Sequence, residues 1–218
     1  MPEAPQTPPS AEPPTRSRPR NARGEGDKLR TEIVEAMLRL IADDARMRPM
    51  PLSLREVARE AGITAPAIYR HFDGKEDLSG AALKALFAQL LTELDEAEES
   101  AQGQAPDRRL ATLAHAYCRF ALQNPSSFRV MFNDRDPHRA EIAEVAERWR
   151  TAVTRLADTG MRLTQTPEAA AMSVWSSVHG RLLLDKSLGS VWHLGDAHDF
   201  VEQLSRSLAT VESRTEDP

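Results

Sequence analysis

The chain has 218 residues, of which 40% are hydrophobic and 5% aromatic, with 33 acidic side chains against 28 basic ones. This length allows one ordinary domain and a smaller second one. The single cysteine excludes an internal disulfide and a cysteine-rich zinc site. Ala, Leu, Arg and Glu favour helices and no Val/Ile/Thr alternation occurs, so an all-α fold is predicted. Because no apolar run is long enough for a membrane helix or a signal core, we expect a soluble cytoplasmic protein.

Residues 1–26 are predicted to form a disordered tail, because they are rich in proline and almost lack large apolar side chains. Four arginines stand together in this tail without an intervening acid: Arg16, Arg18, Arg20 and Arg23. They form either a solvated end or a basic arm that contacts nucleic-acid phosphate or a minor groove. The chain as a whole is acidic, so any other such contact has to be a local patch.

A first domain is predicted over residues 27–78. It opens with a helix that ends before Pro49 and buries one apolar stripe, formed by Leu29, Ile33, Ala36, Met37, Leu40 and Ile41. Ser53 and Glu56 then fit a capping box, with Leu52 and Val57 placed to form a hydrophobic staple. The helix that they begin is predicted to end near residue 61.

A second short helix follows after a turn at Gly62, where glycine permits a left-handed conformation. Thr64 is predicted to cap this helix, and Pro66 suits its first turn. The helix is expected to span residues 65–72. Asp73 and Glu76 suggest a further start, and a long helix follows on Leu78, Leu83, Leu86, Phe87, Leu90, Leu91 and Leu94.

A second domain is predicted over residues 79–213, with a short tail at 214–218. Gly103 and Pro106 mark the end of the long helix. Capping residues precede a proline at Asn124–Pro125, Asp136–Pro137 and Thr166–Pro167. Four apolar stripes predict helices: Leu110, Leu113, Ala114, Tyr117, Cys118 and Ala121; Ile142, Val145, Ala146, Trp149, Val153 and Leu156; Met172, Trp175, Val178, His179, Leu182 and Leu183; Phe200, Val201, Leu204 and Leu208.

A capped helix, a glycine turn and a second short helix have the layout of a helix-turn-helix, whose second helix enters the major groove of DNA. Ala58, Ala61 and Ile63 let the two helices cross closely, and Val57 and Ile68 can bury against the first helix. The stretch LSLREVAREAGITAPAIYRHFDGKEDL closely resembles the DNA-binding domain of the tetracycline-repressor (TetR/AcrR) family. The matching elements are Val57-Ala58, Ala61-Gly62-Ile63-Thr64, Ile68-Tyr69, His71-Phe72, Lys75 and Leu78.

The resemblance implies that Tyr69 and His71 bind phosphate oxygens while their rings pack against the domain. Lys75 would add a cationic phosphate contact, helped by the N-terminal amides of its helix. Ser53 would approach a phosphate, and Arg55 would reach a phosphate or a base edge.

Base reading is expected from the leading turn of the recognition helix, which consists of Thr64, Ala65, Pro66 and Ala67. Three of these side chains offer only apolar contacts, for example to a thymine methyl group. Arg55 and Arg70 remain candidates for guanine contacts, although Arg59 and Arg70 could equally form a solvated face. Specificity is therefore expected to come largely from DNA shape and dimer spacing.

The same resemblance implies a C-terminal domain that senses a ligand and a homodimer built from the last two helices. The helices near 167–186 and 197–211 are apolar enough for this, and the run Ala169–Ala171 would allow close approach. The sequence Trp175-Ser-Ser-Val-His179-Gly180 resembles the Trp…His-Gly motif (WHG-type) of one subgroup of C-terminal domains.

Trp175 and His179 share a helix face and are either a core pair or the edge of a ligand pocket. Further side chains could line an apolar cavity or be ordinary core: Phe120, Phe128, Met131, Phe132, Trp149, Met161 and Met172. We expect an apolar or amphipathic small effector. No cofactor or metal is expected, because the histidines are scattered.

The predicted function is a repressor that binds a palindromic operator as a homodimer and is released by its effector. An activator remains open, since the sign of regulation depends on where the operator lies. A carrier protein with a vestigial DNA domain is a second class, disfavoured by the intact Tyr69, His71 and Lys75. An all-α enzyme is a third, disfavoured because no catalytic set is visible.

Overall fold

The computed structural model describes residues 25–43, 53–132, 139–159, 163–188, 200, 203 and 204. Within these residues the chain forms eight α-helices and no β-strand, which confirms the predicted all-α fold. The helices are α1 (Glu25–Ala42), α2 (Leu54–Glu60), α3 (Ala65–Ile68), α4 (Lys75–Ser100), α5 (Pro106–Gln123), α6 (Pro125–Met131), α7 (Arg139–Asp158) and α8 (Pro167–Leu188). None of these helices combines the length and the apolar character needed to cross a membrane.

Several predictions fall on residues outside the described part of the chain. They concern the arginine-rich tail, the staple residue Leu52, the pair Asp136–Pro137, Met161 and most of the last helix. Of that helix, Phe200 and Leu204 are described, and both pack against the larger hydrophobic cluster.

The smaller of two hydrophobic clusters joins α1, α2, α3 and the start of α4. The predicted stripe of α1 is buried in it, with Ile33 and Ala36 fully inaccessible to solvent. Val57 and Ile68 bury against this stripe as predicted, and Phe72 and Leu78 close the cluster. The two short helices are thus held at a fixed angle by apolar contacts with α1.

The larger cluster begins at Leu86 on α4 and includes α5, α6, α7 and α8. Tyr117 and Trp149 are its largest fully buried side chains. The last α4 residue in the smaller cluster is Ala82. We propose that the two domains divide here, shortly after the predicted limit at residue 78.

The short helix α6 touches both clusters. Phe128 and Met131 are buried in the larger one, whereas Val130 packs against the smaller one, where α6 contacts α1. Leu38 on α1 also packs against both clusters. One turn of helix therefore links the core of the second domain to the helix-turn-helix unit.

Three predicted helix-end devices are confirmed. The Ser53 hydroxyl accepts from the Glu56 N–H at 3.3 Å, and the Ser53 N–H donates to the Glu56 carboxylate at 2.8 Å, which completes the capping box. Gly62 has a φ of +67°, in the left-handed region. The Thr166 hydroxyl accepts from the Ala169 N–H at 3.3 Å at the start of α8.

Two predicted caps are wrong. Thr64 occupies the N-cap position of α3, but its side chain makes no capping hydrogen bond. Asn124 precedes α6 without capping it, because its Nδ2 donates instead to the carbonyl of Phe120 at 3.1 Å. The Phe120 carbonyl, which also accepts from the Asn124 backbone N–H at 2.9 Å, thus takes two hydrogen bonds from Asn124 at the end of α5.

The recognition helix is also shorter than predicted, since α3 ends at Ile68. The N–H groups of Arg70 and His71 donate to carbonyls three residues earlier, at 3.3 and 2.9 Å, so the chain tightens into turns. The expected helix start near Asp73 is confirmed, since α4 begins at Lys75 with Gly74 as its N-cap, but Glu76 is not the residue that binds back to Asp73. Instead, the Asp73 N–H donates to the Asp77 carboxylate at 3.1 Å.

The predicted apolar stripe of α8 is partly wrong. Met172 and Leu183 are 55% and 45% exposed, whereas the buried positions include Ala170, Ala171 and Val174. Apolar and polar side chains are spread around the whole circumference of this helix, so periodicity alone could not identify its inner face. Ala170 and Ala171 therefore pack within the monomer, contrary to their expected place between subunits.

The end of α4 is tied to α5 and α7 by ion pairs. Glu98 accepts from Arg109 on α5 at 2.9 Å and from Arg155 on α7. One turn earlier, Arg148 on α7 donates two hydrogen bonds to Asp95, at 3.0 and 3.1 Å. The half of α4 that belongs to the second domain is thus fixed by charge as well as by apolar burial.

Candidate nucleic-acid interface and effector site

The helix-turn-helix presents its polar side chains on one part of the surface. Among the predicted contact residues, those that are exposed are Ser53, Arg55, Thr64, Pro66, Tyr69 and Arg70. Those that are half-buried are Ala65, Ala67, His71 and Lys75. The buried Val57 and Ile68 anchor α2 and α3 from below, so these side chains project from a rigid base.

Tyr69 immediately follows α3 and is 62% exposed. The expected packing of its ring against the domain is therefore wrong, since the tightened turn after Ile68 directs the ring outward. His71 is half-buried, as expected for a ring that rests on the domain. Lys75 is the first residue of α4, where backbone N–H groups without helical partners favour an anion.

The leading turn of α3 offers few groups for reading bases. Ala65 and Ala67 are half-buried methyl groups, and Pro66 is exposed but apolar. The Thr64 hydroxyl takes no part in capping, which leaves it available for a contact outside the domain. Among the predicted contact residues, donor side chains suited to phosphate oxygens therefore outnumber side chains suited to base edges.

A cluster of aromatic rings occupies the second domain around a buried hydrogen bond. The Tyr117 hydroxyl lies 2.8 Å from Nδ1 of His179, and the two residues come from α5 and α8. The His179 ring lies 4.7 Å from the Phe132 ring and 5.2 Å from the Phe128 ring, between centroids. Trp149 packs edge-on against Tyr117 at 5.6 Å.

Burial keeps both partners of this hydrogen bond uncharged near neutral pH. It raises the pKa of the Tyr117 hydroxyl and lowers the pKa of the His179 imidazole. Burial also raises the pKa of the neighbouring Cys118 thiol to about 11, so this thiol stays protonated and unreactive. The cluster is thus uncharged, and its polar groups are this pair and the buried indole N–H groups of Trp149 and Trp175.

Most of the predicted ligand-binding residues meet in this cluster, namely Phe128, Met131, Phe132, Trp149, Trp175 and His179. Phe120 is buried in the same core and borders a groove of about 420 Å³ on the other side, with Glu93, Glu96 and Asn124. Met172 is wrong as a member of this cluster, because it lies on the exposed side of α8.

Tyr117 is the residue of this cluster that sequence reasoning missed as part of the site. It was expected only as one position of a buried stripe. Tyr117 and His179 are 62 residues apart in the chain, so no local spacing links them. Within the described residues, no group of His, Cys, Asp and Glu side chains could hold a metal ion.

Two family models match the chain. Residues 49–82 match the model described as bacterial regulatory proteins, tetR family, and residues 110–208 match the tetracyclin repressor-like C-terminal domain. The first match contains the whole helix-turn-helix, and together the two span more than half of the chain. The chain belongs to the TetR family. It is a DNA-binding transcriptional regulator of that family, built from its N-terminal helix-turn-helix and a helical C-terminal domain.

Solved structures share this TetR fold. A protein of unknown function from Rhodococcus sp. RHA1 is 24% identical, with a TM-score of 0.68 over 84% of this chain and 96% of that chain. A TetR/AcrR regulator from Thermobifida fusca is 23% identical, with a TM-score of 0.58 over 83% and 96%. FadR from Bacillus subtilis, in complex with stearoyl-CoA, is 13% identical, with a TM-score of 0.61 over 83% and 97%.

Proposed function

We propose that this TetR-family regulator is a homodimeric repressor that works in the cytoplasm. It binds a palindromic operator and is released by a small apolar or amphipathic effector. DNA binding in this proposal is supported by the exposed side chain of Tyr69. His71 lies two residues further along, and Lys75 is the first residue of α4. Three phosphate-binding groups of different chemistry within seven residues suit the backbone of one DNA strand.

The proposed DNA contacts are Ser53, Arg55, Thr64, Ala65, Pro66, Ala67, Tyr69, Arg70, His71 and Lys75. Phosphate contacts supply most of the affinity and fix the register of α3 in the major groove. Methyl groups of Ala65 and Ala67 favour thymine at the positions they face. The remaining selectivity comes from the spacing of two recognition helices on a palindrome.

The outer face of α8 supports the homodimer. Met172, Leu183 and Leu184 are 55%, 45% and 52% exposed, and Ala169 and Gly180 lie on the same face. Large apolar side chains exposed on one face at both ends of a helix favour burial against a partner. A second copy of α8 offers the same face, so a two-fold axis pairs small residues with large ones.

The aromatic cluster around Tyr117 and His179 is the proposed effector site. Rings from α5, α6, α7 and α8 offer apolar area, and the neutral polar pair offers one hydrogen bond to orient a ligand. FadR was solved with an acyl-CoA thioester, an amphipathic molecule, bound to the same fold. A ligand of that general character suits a mainly apolar site with a few neutral polar groups.

Helix α6 supplies a route from this site to the DNA. Phe128 and Phe132 touch the His179 ring, and Val130 between them packs against the smaller cluster. An effector that displaces these two rings shifts α6 against α1. Release then follows as a population shift toward a spacing of the recognition helices that no longer fits the operator.

Selection of bound duplexes from a random pool, followed by a salt titration, tests the proposal. A repressor enriches a palindrome and loses affinity steeply as salt rises, because phosphate contacts release counterions. A carrier protein with a vestigial DNA domain would enrich no sequence. Reporter expression from the enriched palindrome placed over a promoter then separates a repressor from an activator.

A further inference from the structure

Arg30 on α1 stacks on the segment that carries the phosphate-binding residues. Its guanidinium carbon lies 4.5 Å from the centre of the Phe72 ring. Phe72 directly follows His71 and is 2% exposed, so the ring is a fixed platform. Arg30 itself is exposed and precedes the residues 49–82 that match the family model.

The helix-turn-helix domain is acidic overall, so an available cation such as Arg30 matters for binding an anion. The described residues of α1, α2, α3 and the start of α4 contain more acidic than basic side chains. Arg39 lies more than two turns further along α1 and forms an ion pair with Glu60 at 2.7 Å. Arg30 makes no hydrogen bond or ion pair with any residue in the described part of the chain.

The stack on Phe72 leaves the hydrogen-bonding capacity of Arg30 unused. A cation–π contact engages the flat face of the guanidinium, whereas its five N–H groups lie in the plane and point outward. An arginine held in this way loses little further side-chain freedom when it binds an anion. Its geometry suits two parallel hydrogen bonds to the oxygens of one phosphate.

We propose that Arg30 is a DNA phosphate contact that Phe72 holds in position. It extends the contact surface from Tyr69 and His71 onto the first turns of α1. The partner is the sugar–phosphate backbone of the operator, and the contact carries no base preference. This inference rests on the DNA binding of the helix-turn-helix.

The test compares Arg30→Met, Arg30→Lys and Arg39→Met on the palindrome that the wild-type full chain enriches from a random pool. Arg30→Met keeps an apolar stem on Phe72 and removes only the charge. We expect it to weaken binding and to reduce the slope of log K against log salt by about two for the dimer. Arg30→Lys keeps the slope but binds more weakly than the wild type, because an ammonium group lacks the planar fork.

Arg39→Met is the matched control, because it removes an exposed arginine from the same helix and should keep the wild-type slope. An Arg30→Met protein with the wild-type slope overturns the proposal, even if its affinity falls, because Arg30 would then only position α1. Circular dichroism of each variant shows that the fold is kept, and Arg30→Gln replaces Arg30→Met if it is not. A wild type that enriches no duplex overturns both this inference and the proposed repressor function.

Discussion

Tyr69 is the side chain whose exposure is easiest to connect with a function. Its ring is 62% exposed, so removing the hydroxyl has no packing consequence in the free protein. We expect Tyr69→Phe to leave the melting temperature unchanged and to weaken operator binding roughly a hundredfold or more, since one hydrogen bond to a charged group, worth about 1.5–3 kcal/mol, is lost in each subunit. Fluorescence anisotropy with the enriched palindrome measures this. Leu122→Ala, which changes another exposed side chain on α5 in the second domain, serves as the control and should bind normally.

Tyr117→Phe should have the opposite profile. It removes the hydroxyl 2.8 Å from His179 and leaves Nδ1 without its partner in a part-buried place. We expect a loss of about 1–2 kcal/mol in the free energy of unfolding. Urea denaturation of the two Tyr→Phe variants side by side checks the contrast. Equal stability of the Tyr117→Phe variant and the wild type would contradict the buried hydrogen bond.

His179 gives the stability a dependence on pH. Burial lowers its pKa in the folded state below the ordinary 6.5, so the unfolded chain binds a proton first as the pH falls. The free energy of unfolding should therefore decrease below pH 6.5 and stop decreasing, for this group, below the folded pKa. His179→Phe should remove this part of the decrease. Urea midpoints of both proteins at several pH values between 7 and 5 provide the measurement, and identical slopes would count against it.

At the scale of single residues, local chemistry could be predicted and distant partners could not. Ser53 and Glu56 are three residues apart and satisfy each other's groups, so the sequence alone indicates their bond. Tyr117 and His179 meet only because α5 and α8 pack together. The same holds for Arg155 and Glu98, which come from different helices.

At the scale of helices, two glycines allow a matched experiment. Gly62 and Gly103 have φ values of +67° and +80°, and a Cβ at either position would meet no atom within 4 Å. Alanine at each should therefore cost about 1 kcal/mol through the left-handed backbone alone. Gly62→Ala should also weaken operator binding, because the turn sets the angle between α2 and α3. Gly103→Ala should keep the wild-type affinity, and equal losses in both variants would contradict this role of the turn.

Helix ends show where prediction from sequence stops. Gly62 and Thr166 do what their types favour, the first in a left-handed turn and the second as a helix N-cap. Asn124 instead serves the end of α5, because both helix ends compete for one amide. The length of α3 escaped prediction for a related reason: the turn after Ile68 is stabilised by backbone bonds that any sequence can make.

At the scale of the whole molecule, the exposed face of α8 determines the expected assembly. We expect Met172→Glu with Leu183→Glu to yield monomers, because each carboxylate would be buried without a partner charge against the apolar face of the other subunit. Sedimentation velocity measures the change. The same variant should lose operator affinity by far more than tenfold, because one recognition helix alone keeps half of the phosphate contacts. Leu122→Glu, on α5, should remain dimeric, and a monomeric wild type would contradict the proposed assembly.

The order of elements could be predicted from the sequence. Capping residues and the periodic apolar positions distinguish an N-terminal helix-turn-helix from the longer helices that follow it. The inner face of α8 could not be predicted, because apolar side chains are spread around the whole circumference of that helix. Met172 and Leu183 were placed in the core for this reason, and they lie outside it.

The sharing of α4 and α6 between the two hydrophobic clusters also governs how the molecule melts. Neither cluster can come apart without uncovering apolar side chains of the other, such as Leu38 and Val130. The calorimetric and van't Hoff enthalpies of unfolding should therefore agree, as for a single cooperative unit. We therefore expect that such a regulator does not dissociate from DNA by local unfolding of its helix-turn-helix domain. The domain leaves the major groove in its folded form and moves together with α4.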